Sequence, residues 1–130
     1  MLDKKDEQQF SILKQFKSFK YAFDGFKSII KTEHNFRIQV VSAIVVIIFS
    51  IIFRISGFEW CLVFFCIALV MITEILNTAI EKTCDKISVT YDADIKYIKD
   101  IAALAVVLAT FTALIIALVI FVPKIVVLLL

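Results

Sequence analysis

"IAALAVVLATFTALIIALVIFV", Ile101 to Val122, runs for 22 residues without a charge. At a rise of 1.5 Å per residue, a helix of that length spans roughly 33 Å, enough to cross the hydrocarbon core of a bilayer. Toward the N-terminus, Cys61 to Ile72 is wholly apolar, and it reaches spanning length only by running on through "EILNTAIEKTCD", Glu74 to Asp85. Earlier still, Ile38 to Ile55 is apolar except for Gln39, Ser42, Ser50 and Arg54. A short turn, Ser56 to Trp60, separates these two blocks and puts Trp60 at a membrane interface, where its amphipathic ring is favoured. Transmembrane helices are therefore expected at about 36–55, 60–86 and 97–122. Pro123 and Lys124 mark an end, and the apolar "IVVLLL" after them reads as helix continuation or an interfacial tail.

The rest of the composition agrees. Of 130 residues, 62% are hydrophobic and the mean hydropathy is +0.98, against the ~45–50% apolar usage of soluble domains. One all-α membrane domain covering residues 1–130 is the expected fold, because spanning helices satisfy their own backbone without a large water-excluding core. Only Gly25 and Gly57 are glycines, so neither a Walker A loop nor a dinucleotide-binding glycine pattern can be written. Any phosphate must be held another way. The single histidine, His34, rules out the two-histidine zinc helix. Cys61, Cys66 and Cys84 have no metal or redox spacing and read as small apolar residues.

Basic residues set the orientation. Lys4, Lys5, Lys14, Lys17, Lys20, Lys27, Lys31 and Arg37 precede the first span, and Lys82, Lys86, Lys96 and Lys99 lie between the second and third. Both regions are expected to be cytoplasmic, with the C-terminus outside. A cleavable signal peptide does not fit so long a basic start. Within that start, Phe10, Leu13, Phe16, Phe19, Phe23, Phe26 and Ile30 recur at steps of three or four among the lysines. The pattern predicts an amphipathic surface helix over about 10–32, either as an electrostatic anchor or as a lid contacting phosphate groups. Nucleic acid is not an expected partner, since these lysines come with an aromatic membrane face.

The polar interruption can be read as geometry. Glu74, Asn77, Glu81 and Asp85 stand at steps of three, four and four, and at 100° per residue their side chains fall within about 80° of one another. A charge near mid-membrane costs roughly 3 kcal/mol on insertion scales, which makes Glu74, the deepest of the four, a functional residue by default. Three other readings stay open: interhelical glue through Asn77 and Thr78, an ion or proton path, and, for Glu81 and Asp85, solvated helix-end charges. The other spans carry polar groups at the same end: Glu33, Asn35 and Arg37 before the first, Lys99 and Asp100 before the third. Two carboxylates can hold a divalent ion that keeps waters and bridges phosphates, and a lysine can neutralise a transferring phosphoryl group. A deeper carboxylate can take the proton of an alcohol at headgroup level. The layout suits a water-soluble donor meeting a membrane-resident acceptor.

"TEHNFRIQ", "EILNTAIEKTCD" and "IKDIAALAVV" resemble the three signature segments of the prokaryotic diacylglycerol kinase family of small membrane lipid kinases. The likeness runs in the family's order from about Lys14 to the third span. It implies a homotrimer in a bacterial cytoplasmic membrane, with active sites between protomers facing the cytoplasm. It also implies ATP as donor, Mg²⁺ as cofactor, and diacylglycerol as acceptor, the alternative acceptor being undecaprenol, toward whose kinases "EHNFRI" leans. By matching positions, Glu74 is the catalytic base, with Asn77 orienting the reacting groups. Glu33 and Glu81 bind the metal and the nucleotide. Lys14, Tyr21, Tyr91, Asp92, Lys99 and Asp100 are further nucleotide contacts, and Asn35, Arg37, Glu74 and Ala103 line the lipid side. The chain departs from the pattern at Leu104, where the family usually has glycine, and at His34, commonly arginine. A non-catalytic scaffold or an ion-conducting bundle is the competing class; carboxylates at all three cytoplasmic ends favour the enzyme, since a scaffold would gain from apolar residues there.

Overall fold

The computed structural model describes residues 4–130, with the side chains of 5–10 left aside. Phe10, the first of the apolar series, thus lies outside the described side chains. The described residues form four helices: α1 (Lys4–Thr32), α2 (His34–Ile52), α3 (Gly57–Ile87) and α4 (Ala93–Leu129). They fall into two units, divided between His34 and Asn35.

The first unit is α1, 29 residues long. Hydroxyls along it fold back on the helix: Ser18 donates to Lys14 O, Ser28 to Asp24 O and Thr32 to Ser28 O, each at 3.0 Å. These bonds keep the hydroxyls within the helix; Phe16, Phe19 and Phe23 are exposed, with Lys27 Nζ lying 4.8 Å over the Phe23 ring.

The second unit holds three helices long and apolar enough to cross a membrane. Within these spans only 11–17% of residues are buried by the chain itself. Their apolar faces must therefore meet lipid or another protein, because water would impose a cost of roughly 25 cal/mol per Å² on them. The spans differ from their expected extents for physical reasons. α2 stops at Ile52 in a Schellman end: Arg54 takes the left-handed conformation (φ 50°), its N–H donates to Ile51 O, and the Ile55 N–H reaches Ser50 O, each at 3.2 Å. Such a stop is usually marked by glycine, and an arginine gives no sequence signal for it. α4 continues through Pro123, although the proline lacks the N–H for one intrahelical bond and its ring crowds the carbonyl four residues before it, and "IVVLLL" is helix as far as Leu129.

At the end opposite the polar stripe, Ser56 and Glu59 make a reciprocal capping box on α3. Ser56 Oγ accepts from the Glu59 N–H at 3.2 Å, and Glu59 Oε2 accepts from the Ser56 N–H at 2.8 Å. Glu59 Oε1 also accepts from Lys124 Nζ at 2.7 Å, tying α3 to α4. Beneath this knot Ile55, Val63 and Ile120 form a buried cluster, flanked by Phe53, Trp60 and Phe121. Ser56→Ala should lower unfolding stability by about 1 kcal/mol without changing catalysis, as read from denaturant titration in micelles beside an activity assay. An unchanged midpoint would show that the cap is redundant there.

From this knot α3 and α4 run together in close contact, while α2 stands farther from both. Between the three helices lies a cavity of about 430 Å³. It is lined by Val63, Cys66, Val70 and Met71 from α3, by Leu114 and Ile120 among others from α4, and by α2 residues that include Asn35, Gln39 and Ser42.

Candidate functional site

α3 carries the polar stripe as one helical face, and the environment changes along it. Glu74 is 4% exposed, Asn77 and Glu81 are half-buried, and Asp85 is exposed. Glu74 Oε2 accepts a hydrogen bond from Gln39 Nε2 of α2 at 3.1 Å, so the deepest carboxylate is buried with a neutral donor against it. One turn toward the α3–α4 loop, Asn77 Oδ1 is buried without a hydrogen-bond partner, as is Gln39 Oε1. Two amide oxygens close to a buried carboxylate thus have acceptor capacity that the second unit leaves unused.

At the loop end the charges are paired. Lys99 Nζ of α4 lies 3.0 Å from Asp85 Oδ1, and Glu81, one turn earlier on α3, adds to the negative field at the same ammonium. Both side chains reach solvent, Asp85 (63% exposed) more than Lys99 (36%), and water and salt keep the hold of such a pair weak. An incoming phosphate oxygen can therefore compete for the lysine. Asp100 pairs within its own helix with Lys96. Asp92 is the N-cap of α4, its Oδ1 accepting from the Asp94 and Ile95 N–H groups at 2.9 and 3.2 Å. Tyr91 beside it is exposed.

Of the residues expected on the lipid side, Asn35 lines the cavity, and Gln39 and Ser42 follow it at steps of four and three on the same face of α2. Arg37, about 200° round the helix from Asn35, and Ala103 do not line it; both are exposed. The cavity rises to Gln39, Val70 and Met71, the last two one turn before Glu74. Leu104 is half exposed, so its extra volume points away from the core of its own chain. Lys14, Tyr21, Glu33 and His34 belong to the first unit; Lys14, Tyr21 and His34 are exposed and Glu33 is half-buried.

Sequence reasoning missed Gln39 and the partner of Asp85. Gln39 was visible only as a break in an apolar span, although its step of four from Asn35 put it on a polar face. Asp85 was visible in the stripe, but its contact with Lys99, 14 positions on, comes from the folding back of α4. Among the described residues no group of three or more His, Cys, Asp or Glu side chains comes together. A magnesium ion bound through one or two carboxylates, waters and substrate phosphates needs no such group; of the two glutamates expected to hold it, Glu81 belongs to the second unit and Glu33 to the first.

Three spans with a buried acid, unused amide acceptors and a displaceable ammonium gathered at one end have the layout of an integral-membrane enzyme that works at the bilayer surface. The prokaryotic diacylglycerol kinase family model matches residues 20–121. The chain is similar to an undecaprenol kinase of Bacillus subtilis, 37% identical over 95% of this chain and 99% of the relative. It is also similar to a diacylglycerol kinase of Synechocystis, 35% identical over 76% of this chain and 57% of the relative. The chain belongs to the prokaryotic diacylglycerol kinase family and is a membrane lipid kinase.

Proposed function

We propose that the protein transfers the γ-phosphoryl group of ATP to the primary hydroxyl of a polyprenol, the substrate class that the name of its Bacillus subtilis relative gives. The observation that carries the chemistry is Glu74, 4% exposed and hydrogen-bonded to Gln39 one turn above an apolar cavity. The preference for undecaprenol over diacylglycerol, which the sequence put first, rests on similarity along 99% of the undecaprenol kinase against 57% of the diacylglycerol kinase.

The lipid's first units lie in the cavity, and its hydroxyl rises past Val70 and Met71 to Glu74. Glu74 takes the hydroxyl proton as the alcohol oxygen bonds to the γ-phosphorus. The bond from that phosphorus to the bridging oxygen breaks, and ADP leaves. Asn77 Oδ1, buried without a partner, orients the reacting groups. Lys99 exchanges Asp85 for the phosphates, and Asp100, Tyr91 and Asp92 border the nucleotide with Lys14 and Tyr21. Glu33 and Glu81 would hold Mg²⁺, which when bound neutralises phosphate charge. Asn35 meets the lipid in the cavity, and Arg37 and Ala103, exposed outside it, border the lipid from the surface of the second unit.

The basic, aromatic face of α1 rests on anionic headgroups, with the N-terminus and site in the cytoplasm of a bacterial cell. The active form is a homotrimer, its protomers covering the apolar faces that the single chain leaves exposed, Leu104 among them. The acceptor is tested by offering undecaprenol and diacylglycerol at equal mole fraction in mixed micelles. A kcat/KM at least tenfold higher for undecaprenol is expected; the reverse order would make diacylglycerol the substrate.

A further inference from the structure

Gln39 stands between the cavity and Glu74: it lines the first and hydrogen-bonds the second through Nε2 at 3.1 Å. A buried carboxylate left to itself can rotate and offer either oxygen, and an unmade hydrogen bond at such depth is costly. A lysine or arginine partner would hold it still but would also favour its charged form and weaken it as a base. A neutral amide holds it with less of that loss. The far end of the same amide, Gln39 Oε1, is buried and unpartnered.

We propose that Gln39 is the positioning residue of the catalytic base, an inference that rests on the reading of Glu74 given above. Nε2 occupies Oε2 of Glu74 and leaves Oε1 of Glu74 as the oxygen presented to the lipid hydroxyl. When the alcohol proton has passed to Oε1 of Glu74, Oε2 becomes the carbonyl oxygen of the neutral acid and still accepts from Gln39 Nε2. One side chain thereby satisfies the base before and after proton transfer, and itself undergoes no covalent change.

The test is steady-state kinetics in micelles on four variants, each checked for assembly and ATP binding. Gln39→Met keeps length and volume but has no donor, and Gln39→Glu keeps the shape but sets a second carboxylate against Glu74. Both should lose about 10- to 100-fold in kcat, with KM for ATP unchanged and KM for lipid within about threefold. Gln39→His, whose ring N–H reaches about as far, should recover most of the loss, which a purely packing role would not allow. Glu74→Gln is the control. If it is inactive while Gln39→Met and Gln39→Glu keep wild-type kcat, the positioning role is wrong and the base stands. If Glu74→Gln itself turns over normally, the base reading fails and the role of Gln39 fails with it.

Discussion

Glu74→Gln will reduce lipid phosphorylation by about 10³-fold or more, within the range general-base catalysis spans, while ATP affinity and assembly stay close to wild type. The substitution keeps the side chain's volume and one carbonyl oxygen, so the burial that α3 provides is preserved. What is lost is the ability to take a proton. Glu74 is two turns from Glu81 on α3, and so from the end where Lys99 and Asp85 meet; nucleotide binding there should not register the change. Isothermal titration with a non-hydrolysable ATP analogue beside the kinetic assay separates the two effects. An equal loss of ATP affinity would contradict the assignment of Glu74 as the base.

Glu81→Gln and Glu33→Gln should each raise the Mg²⁺ concentration needed for half-maximal nucleotide binding by about tenfold or more. The reason is charge: a hard divalent ion that keeps several waters relies on a few carboxylates, and each substitution removes one. Glu81 has a second effect on this chain, since it shares the field around Lys99 with Asp85. Its loss should therefore weaken the hold on Lys99 and ease that lysine's move to phosphate, so binding at saturating Mg²⁺ should recover. Magnesium titrations that overlay wild type would remove both glutamates from the metal site.

Much of the fold was legible because bilayer length and charge are coarse signals. Ile101–Val122 has no charge, and the long apolar runs around Gly57 leave no other use for so much hydrocarbon. Less legible were the points where two signals compete. Pro123 beside Lys124 reads as a stop, because a proline removes a helix hydrogen bond and crowds the turn before it, yet α4 runs on through it between apolar stretches. The end of α2 depends on Arg54 taking a conformation that glycine would have announced. In the site, the stripe from Glu74 to Asp85 was visible as helical arithmetic, and the family signatures were visible in the same residues. The contacts that give the stripe its chemistry come from other helices. Gln39 reaches Glu74 across 35 positions and Lys99 reaches Asp85 across 14, and periodicity along one helix carries no information about either. Membership of a kinase family was thus easier to read than how Glu74 is held.

The most direct measurement is transfer of labelled γ-phosphate from ATP into the organic phase by the purified protein in lipid-containing micelles, with Glu74→Gln as the blank. Label is expected in a phosphorylated lipid for the wild type and none above background for the variant. A folded, ATP-binding protein that leaves every offered lipid alcohol unlabelled, or a variant that labels lipid as fast as wild type, would contradict the proposed function.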